Sequence, residues 1–178
     1  MYTSLYTSLY TSHVYATCML TSRPVYVQWV CLVVRTVYES SEDRARQVAV
    51  AGRVGAGWGV EVIHLPRLCC GDYVFLRSGK VLGVGELKCR GVERLRYPTL
   101  ILSKAKVEGL LELSGALGVG VVLLVQWVDG VFWRRVGAAD VAGWVVSRGG
   151  RTDRGDPADM EDVYEIPVSG FRDASAPA

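Results

Sequence analysis

The run of apolar residues from Val119 to Val128 constrains this chain more than any other segment. It carries no charge and is bounded by turn and stop residues, Gly118 before it and Asp129-Gly130 after it. A strand with one wet face alternates apolar and polar residues, so an unalternating run belongs to a strand covered on both faces. The fold must therefore place material on either side of this strand. The preceding segment, opening at Ser103, reads as a helix with Ala105, Leu110, Leu113 and Leu117 on one face and Gly118 as its stop. Val131 to Val136 returns through the Asp-Gly turn as a hairpin partner.

Upstream, Glu39-Ser40-Ser41-Glu42-Asp43 marks a helix start, capped by Ser40 with Asp43 or by Ser41 alone. Ala45, Val48, Ala49, Gly52 and Ala56 recur at helical spacing, and Gly55 to Gly59 ends the pattern. A strand from Val60 to Leu65 stops at Pro66. Two short apolar runs follow, Tyr73 to Leu76 and Val81 to Val84, around Ser78-Gly79-Lys80, which is a hairpin signal. A polar, basic loop runs from Arg90 to Pro98, a second loop from Gly149 to Asp162, and Val163 to Val168 reads as an edge strand. The order is helix, three strands, helix, two strands. A helix between strands implies a parallel crossover, so the class is α/β with a mixed sheet.

The hairpin carries the chemistry. Turning at Gly79, it sets Asp72 opposite Glu86, and period-two alternation puts Lys88 on the face of Glu86. Val74, Leu76, Leu82 and Val84 share that face. Two carboxylates and an ammonium at one end of an apolar hairpin suit a divalent cation such as Mg²⁺. Asp72, Glu86 and the backbone carbonyl of Leu87 would be its oxygen ligands. Lys88 would then orient a water or stabilise charge on a pentavalent phosphate. The competing reading is a cross-strand charge cluster at an exposed sheet end, worth about 1 kcal/mol or less.

Charge distribution favours a polyanionic substrate. Arg77 to Lys106 holds eight Lys or Arg against Glu86 and Glu93, a local +6, whereas Arg151 to Ala178 has three Arg against seven acids, a local −4. A basic collar around a carboxylate pair suits nucleic acid that meets metal at its scissile phosphate. Arg90, Arg94 and Arg96 read as contacts to phosphate without base specificity, and Lys104 and Lys106 on the second helix join the same DNA-binding set.

Other features weigh less. Tyr2 to Ser12 repeats Tyr-Thr-Ser-Leu, and residues 1–36 read as a low-complexity, poorly ordered extension, with a working start near Met19 or Val33. Residues 173–178 read as a disordered tail. The five cysteines form no C-x-x-C pair, which points to a reducing cytoplasm. Buried thiols are favoured over a zinc site made from His64, Cys69, Cys70 and Cys89. The apolar stretch from Val14 to Val34 is broken by Ser22-Arg23-Pro24, so no membrane span is expected. Asp153, Asp156 and Asp159 lack the Gly and terminal Glu of an EF-hand.

With Gly71-Asp72-Tyr73 and Gly85-Glu86-Leu87-Lys88-Cys89-Arg90 in place, the chain resembles the PD-(D/E)XK nuclease superfamily, nearest its small, single-domain phage members. Arg96-Tyr97-Pro98-Thr99, Leu102-Ser103-Lys104 and Gln126-Trp127-Val128-Asp129-Gly130 are similar to stretches of such proteins. The resemblance implies a restriction-endonuclease-like αβββαβ core over residues 37–172, with a central mixed sheet flanked by helices. It implies Mg²⁺-dependent hydrolysis of DNA, with Mn²⁺ substituting and Asp72, Glu86 and Lys88 catalytic. Residue 71 is Gly where the superfamily's name has Pro. Many members place a Glu on the first helix; Glu42 is the candidate here, since Gln47 in the next turn would coordinate poorly. Besides DNA, a second copy of the chain or phage and host replication-recombination proteins are the expected partners. The alternatives are a nucleic-acid-binding module without catalysis and a phage accessory protein.

Overall fold

The computed structural model describes residues 14–18, 25–29, 40–66, 69–150 and 159–175. The chain divides into two compact units, Met1–Tyr38 and Glu39–Ala178. In the first, β1 (Val14–Cys18) pairs antiparallel with β2 (Val25–Trp29). The Tyr-Thr-Ser-Leu repeat lies outside the described residues, as do residues 151–158 and 176–178.

The second unit opens with α1 (Ser41–Trp58). Its start is a full capping box: the Asp43 backbone N–H donates to Ser40 Oγ at 3.0 Å, and Ser40 N–H donates to Asp43 Oδ2 at 3.3 Å. Gly59, at φ 63°, ends the helix in the left-handed conformation that glycine adopts without strain. Next come β3 (Glu61–His64), β4 (Tyr73–Arg77) and β5 (Lys80–Cys89). Then β6 (Thr99–Ser103) leads straight into α2 (Lys104–Leu117), and β7 (Gly120–Trp127) and β8 (Gly130–Val136) form the second hairpin. The short α3 (Ala138–Ala142), β9 (Val145–Gly149), β10 (Glu161–Pro167) and β11 (Arg172–Asp173) complete the unit.

The central sheet has six strands in the order β11-β8-β7-β5-β4-β3. β5 and β7 pair in parallel, Glu86 beside Leu123 and Leu87 beside Leu124, and the other pairs are antiparallel. This is the mixed α/β sheet read from the sequence; β7 is buried at Val121, Leu123, Leu124, Val125 and Trp127 and only partly covered at Gly120, Val122 and Gln126, while Val128 at the end of the apolar run is exposed. α1 packs on one face through Val50, Ala51, Val54 and Trp58 against Tyr73, Phe75, Leu87 and Leu124. α2 covers the other face with Val107, Leu110 and Leu113. Among the described residues no helix is long and apolar enough to cross a membrane.

Several local readings need correction. Thr99–Ser103 is a strand, and β9 and α3 were unanticipated. β10 is not an edge strand: it is the middle strand of a second, antiparallel sheet ordered β6-β10-β9. Ala105 is exposed, and Val107 takes its place on the buried face of α2. The chain stays within the fold beyond residue 172: Asp173 pairs with Phe132, and Ala174 is buried and accepts a 3.0 Å hydrogen bond from Trp58 Nε1.

Candidate active site

The hairpin of β4 and β5 aligns its two carboxylates through a compensation. Its turn has only two central residues, Ser78 and Gly79, both at positive φ (51° and 74°), the type I′ geometry that suits the twist of paired strands. Near the turn Arg77 faces Lys80 and Leu76 faces Val81. A bulge between Phe75 and Leu76 shifts the register by one, so that Val74 faces Val84 and Tyr73 faces Gly85. A one-residue slip moves side chains to the opposite face of a sheet. The bulge thus decides that Asp72 stands abreast of Glu86, a common use of bulges beside functional sites. The Asp72 backbone N–H donates to Gly85 O at 2.8 Å and fixes the end of the ladder.

Gly71 explains the departure from Pro. A Cβ there would lie 2.6 Å from Leu110 Cδ2 and 3.1 Å from Gly85 O, so only glycine lets α2 approach the strand this closely.

Four charged groups converge on the face covered by α2. Glu86 is 1 % exposed; Asp72, Lys106 and Lys88 are 19 %, 27 % and 28 % exposed. Lys88 Nζ and Lys106 Nζ each lie 2.6 Å from Glu86 Oε1, and Lys106 Nζ lies 3.3 Å from Asp72 Oδ1. Asp72 Oδ2 accepts a 3.0 Å hydrogen bond from the Leu87 backbone N–H, which holds the carboxylate toward β5. Glu86 Oε2 is buried without a hydrogen-bond partner among the described residues.

The electrostatics follow from this packing. Burial pushes the Glu86 carboxyl above its usual range, and Lys88 and Lys106 offset only part of that cost. Burial acts the same way on Asp72, but there Lys106, Lys88 and the Leu87 N–H prevail and hold its carboxyl below the usual range. Burial works against the charge on Lys106, yet Glu86 and Asp72 outweigh it and keep the ammonium protonated.

The structure thus brings together Asp72, Glu86, Lys88 and the backbone of Leu87, and it adds Lys106, which the sequence reading had placed only among DNA contacts. A signal for Lys106 existed: Leu110 and Leu113 lie four and seven residues on, so it shares their buried helix face. Lys104 points elsewhere and pairs with Glu108 at 3.2 Å. Glu42 is not part of the cluster. It is exposed on the first turn of α1, and α1 covers the sheet face of Leu87, opposite the face of Glu86. Among the described residues no group of three or more His, Cys, Asp or Glu is placed to hold a metal, so the carboxylate set here is the Asp72–Glu86 pair.

The loop after β5 also divides differently from the sequence reading. Arg94 is anchored within the fold. Its backbone N–H donates to Asp129 Oδ1 at 2.8 Å, its guanidinium stacks on Phe132 at 4.6 Å, and Nη1 donates to Val168 O at 3.3 Å. Arg96 stays exposed beside the Tyr97 ring. Arg90 is half-buried, with Nη2 donating to Ile101 O at 3.4 Å. A wider cleft of about 530 Å³ at the start of β7, lined by Ser114, Gly120, Arg135 and Asp140, contains none of the four clustered residues.

Known proteins bear on the fold and the family. Among solved structures, the chain is similar to a Holliday junction resolvase, Hjc, from Archaeoglobus fulgidus, with a TM-score of 0.50 and 17 % identity over 75 % of this chain and 92 % of that one. That likeness concerns the fold: a central mixed sheet flanked by helices. No curated protein matches the chain. The family described as phage putative PDDEXK endonuclease matches residues 33–174, which span the whole hairpin and its α2 neighbour. The chain belongs to that family of phage PD-(D/E)XK endonucleases.

Proposed function

We propose that the protein is a phage-encoded, metal-dependent deoxyribonuclease that hydrolyses DNA phosphodiester bonds during recombination, repair or DNA degradation in the host cytoplasm. One observation carries the reading: Glu86, a fully buried carboxylate, lies beside Asp72 with both ammonium contacts on Oε1 and, among the described residues, no hydrogen-bond partner on Oε2. Burying a carboxylate costs several kcal/mol unless its oxygens find cations or donors. A chain that keeps one here, half-satisfied and next to a second, has built a receptor for positive charge.

A hard divalent ion fits that donor set. Mg²⁺ is commonly held by one or two carboxylates and keeps several of its waters. Asp72 and Glu86 would hold it together with the Leu87 carbonyl, and Mn²⁺ would substitute. Bound there, it would acidify water and neutralise charge on the phosphoryl group. The remaining work belongs to the chain. Asp72 stays ionised, and its bond from the Leu87 N–H fixes which way it points. Lys88 keeps one contact to Glu86 and, more than a quarter exposed, can direct its other N–H groups at a phosphoryl oxygen or the attacking water. Lys106 neutralises both carboxylates and supplies a second ammonium toward the scissile group. Arg90, Arg96 and Lys104 would contact flanking phosphates. A second copy of the chain or other recombination proteins would select the cleavage site.

The test is cleavage of supercoiled plasmid and of labelled single-stranded, duplex and branched DNA with Mg²⁺ or Mn²⁺. The branched substrate is included because the Archaeoglobus relative is a Holliday junction resolvase. Cleavage that disappears in chelator, in Asp72→Asn and in Lys88→Ala supports the enzyme. DNA binding without metal-dependent cleavage of any substrate would sink it and leave the binding module.

A further inference from the structure

A second cationic site lies just past the carboxylate cluster. Where β5 and β7 end, a cleft of about 190 Å³ is lined by Arg46, Cys89, Arg90, Gln126, Trp127 and Val128. Pockets that enclose a whole small molecule run to about 300–1,000 Å³. At about 30 Å³ per water, this one holds some six water volumes, enough for an anionic group but not for a nucleoside.

Its lining is built for negative charge. Arg46, one turn into α1, is exposed and has no carboxylate within ion-pair reach among the described residues. Arg90 is half-buried, and among the described residues its side chain makes only the long 3.4 Å hydrogen bond to Ile101 O. Burial of that guanidinium opposes its charge and lowers its pKa, and the charge of Glu86 offsets only part of that cost. Of the two acids within a turn of Arg46 on α1, Glu42 forms no ion pair with it among the described residues, and Asp43 is engaged by the Ser40 backbone and hydroxyl in the capping box. Gln126 adds a neutral donor. Its Oε1 faces the Cys89 thiol at 3.8 Å, which turns the amide NH₂ the other way. The Cys89 thiol stays neutral, its pKa raised first by burial.

Position links the cleft to the cluster. Lys88 and Arg90 are two residues apart at the end of β5, about 7 Å along the strand. Arg46 reaches the cleft from α1 on the opposite sheet face, so the cleft sits at the sheet's end where the two faces meet. A DNA strand whose scissile phosphate meets Lys88 would carry a neighbouring phosphate into this cleft. We propose that Arg46, Arg90 and the Gln126 amide form a phosphodiester-binding subsite that seats a phosphate flanking the scissile one, with Arg46 and Gln126 as positioning residues. The subsite deepens the nuclease reading and rests on it for the identity of the strand.

The test is binding of fluorescent single-stranded and duplex DNA to the full chain in chelator, across a salt series, with cleavage measured separately in Mn²⁺. Removing one phosphate-neutralising cation lowers the log–log salt slope by about 0.7–0.9. Arg46→Ala should flatten the slope by about that much and weaken binding about tenfold at low salt. Its melting temperature should match the wild type, because the Arg46 side chain has no partner among the described residues. Arg46→Lys should restore the slope but not the full affinity, since the planar fork is gone. Gln126→Ala should weaken binding with the slope intact, because it removes a donor without charge. Slopes unchanged in Arg46→Ala and Arg46→Ala/Arg90→Ala, with cleavage intact, overturn the subsite and spare the nuclease reading. Flattened slopes without cleavage by the wild type keep the subsite and overturn the nuclease.

Discussion

Lys106→Met separates the two tasks assigned to the carboxylate pair, because the substitution keeps an apolar stem and removes only the charge. The ammonium lies 2.6 Å from Glu86 Oε1 and 3.3 Å from Asp72 Oδ1. At an effective dielectric constant of about 20 each contact amounts to about 5–6 kcal/mol of gross Coulomb attraction, most of which desolvation cancels. Removing one partner of a buried pair costs about 3–5 kcal/mol in practice. Lys88 remains on Glu86, and Lys106 is 27 % exposed, so the low end applies, about 3 kcal/mol. For a chain of this size that lowers the melting temperature in chelator by about 6–12 °C. The same ammonium competes for the oxygens a divalent ion would take. Its loss should tighten metal binding at least tenfold, adding about 1.4 kcal/mol of metal-induced stabilisation at saturating ion. Thermal unfolding followed by tryptophan fluorescence, in EDTA and across a Mn²⁺ titration, measures both effects. The expected pattern is a larger loss in EDTA and a larger recovery in Mn²⁺ than for the wild type. If the variant melts with the wild type in chelator, or if Mn²⁺ stabilises the wild type more, Lys106 does not compete with the metal.

Gly71→Ala places a methyl against Leu110 and the Gly85 carbonyl and should destabilise by about 1–3 kcal/mol in urea unfolding; Leu110→Ala in the same chain should remove most of the increment, and additive losses would refute the clash. Arg94→Ala removes the side-chain contacts to Phe132 and Val168 while the backbone bond to Asp129 stays, so it should lower stability by about 1–2 kcal/mol with the salt slope of DNA binding unchanged; a flatter slope would make it a phosphate contact. The raised Glu86 carboxyl means the folded chain holds an extra proton just above the ordinary glutamate value of about 4.3. Stability in chelator should therefore fall as pH rises through that window, and metal affinity should climb there. Asp72, shifted down, has lost its proton below the window and contributes no slope within it. Glu86→Gln should flatten both profiles; profiles unchanged in that variant would place the titration elsewhere.

Sequence made the site legible where the signals were local. The capping box at Ser40 and Asp43, the Gly118 stop and the unalternating β7 fixed both helices and the central strand. The alignment of Asp72 with Glu86 was also legible, although a two-residue turn alone would have mispaired them without the bulge at Phe75 and Leu76. The second sheet was not. Thr99 to Ser103 alternates buried and outward residues over five positions, but it runs into a helix cap, and its partner Val163–Pro167 lies some sixty residues on. No local pattern announces pairing at that distance. Glu42 failed for a related reason. Periodicity picks Ala45, Val48, Ala49, Gly52 and Ala56, which are all exposed, whereas α1 packs through Val50, Ala51, Val54 and Trp58, and no periodicity says which face of the sheet a helix will cover. Lys106 was concealed by its charge, since a lysine near a helix start reads as solvated until the leucines that share its face are counted.

The charge balance of the cluster says why two lysines accompany two carboxylates. As formal charges, Asp72, Glu86, Lys88 and Lys106 sum to zero, so the site folds without an uncompensated ion, at the expense of leaving one Glu86 oxygen unpaired. A divalent cation alone would raise the sum to +2 in a half-buried site, which its low local dielectric opposes. A phosphodiester approaching its pentavalent geometry with an added hydroxide carries −2. Cation and substrate together restore neutrality where either alone does not, so the cluster should bind each better in the presence of the other. The lysines would then have a use in each state: they neutralise the carboxylates in the free chain, and with an ion bound they would face the phosphoryl oxygens. An exposed charge cluster at a sheet end needs no such arrangement, and it would have no reason to bury Glu86.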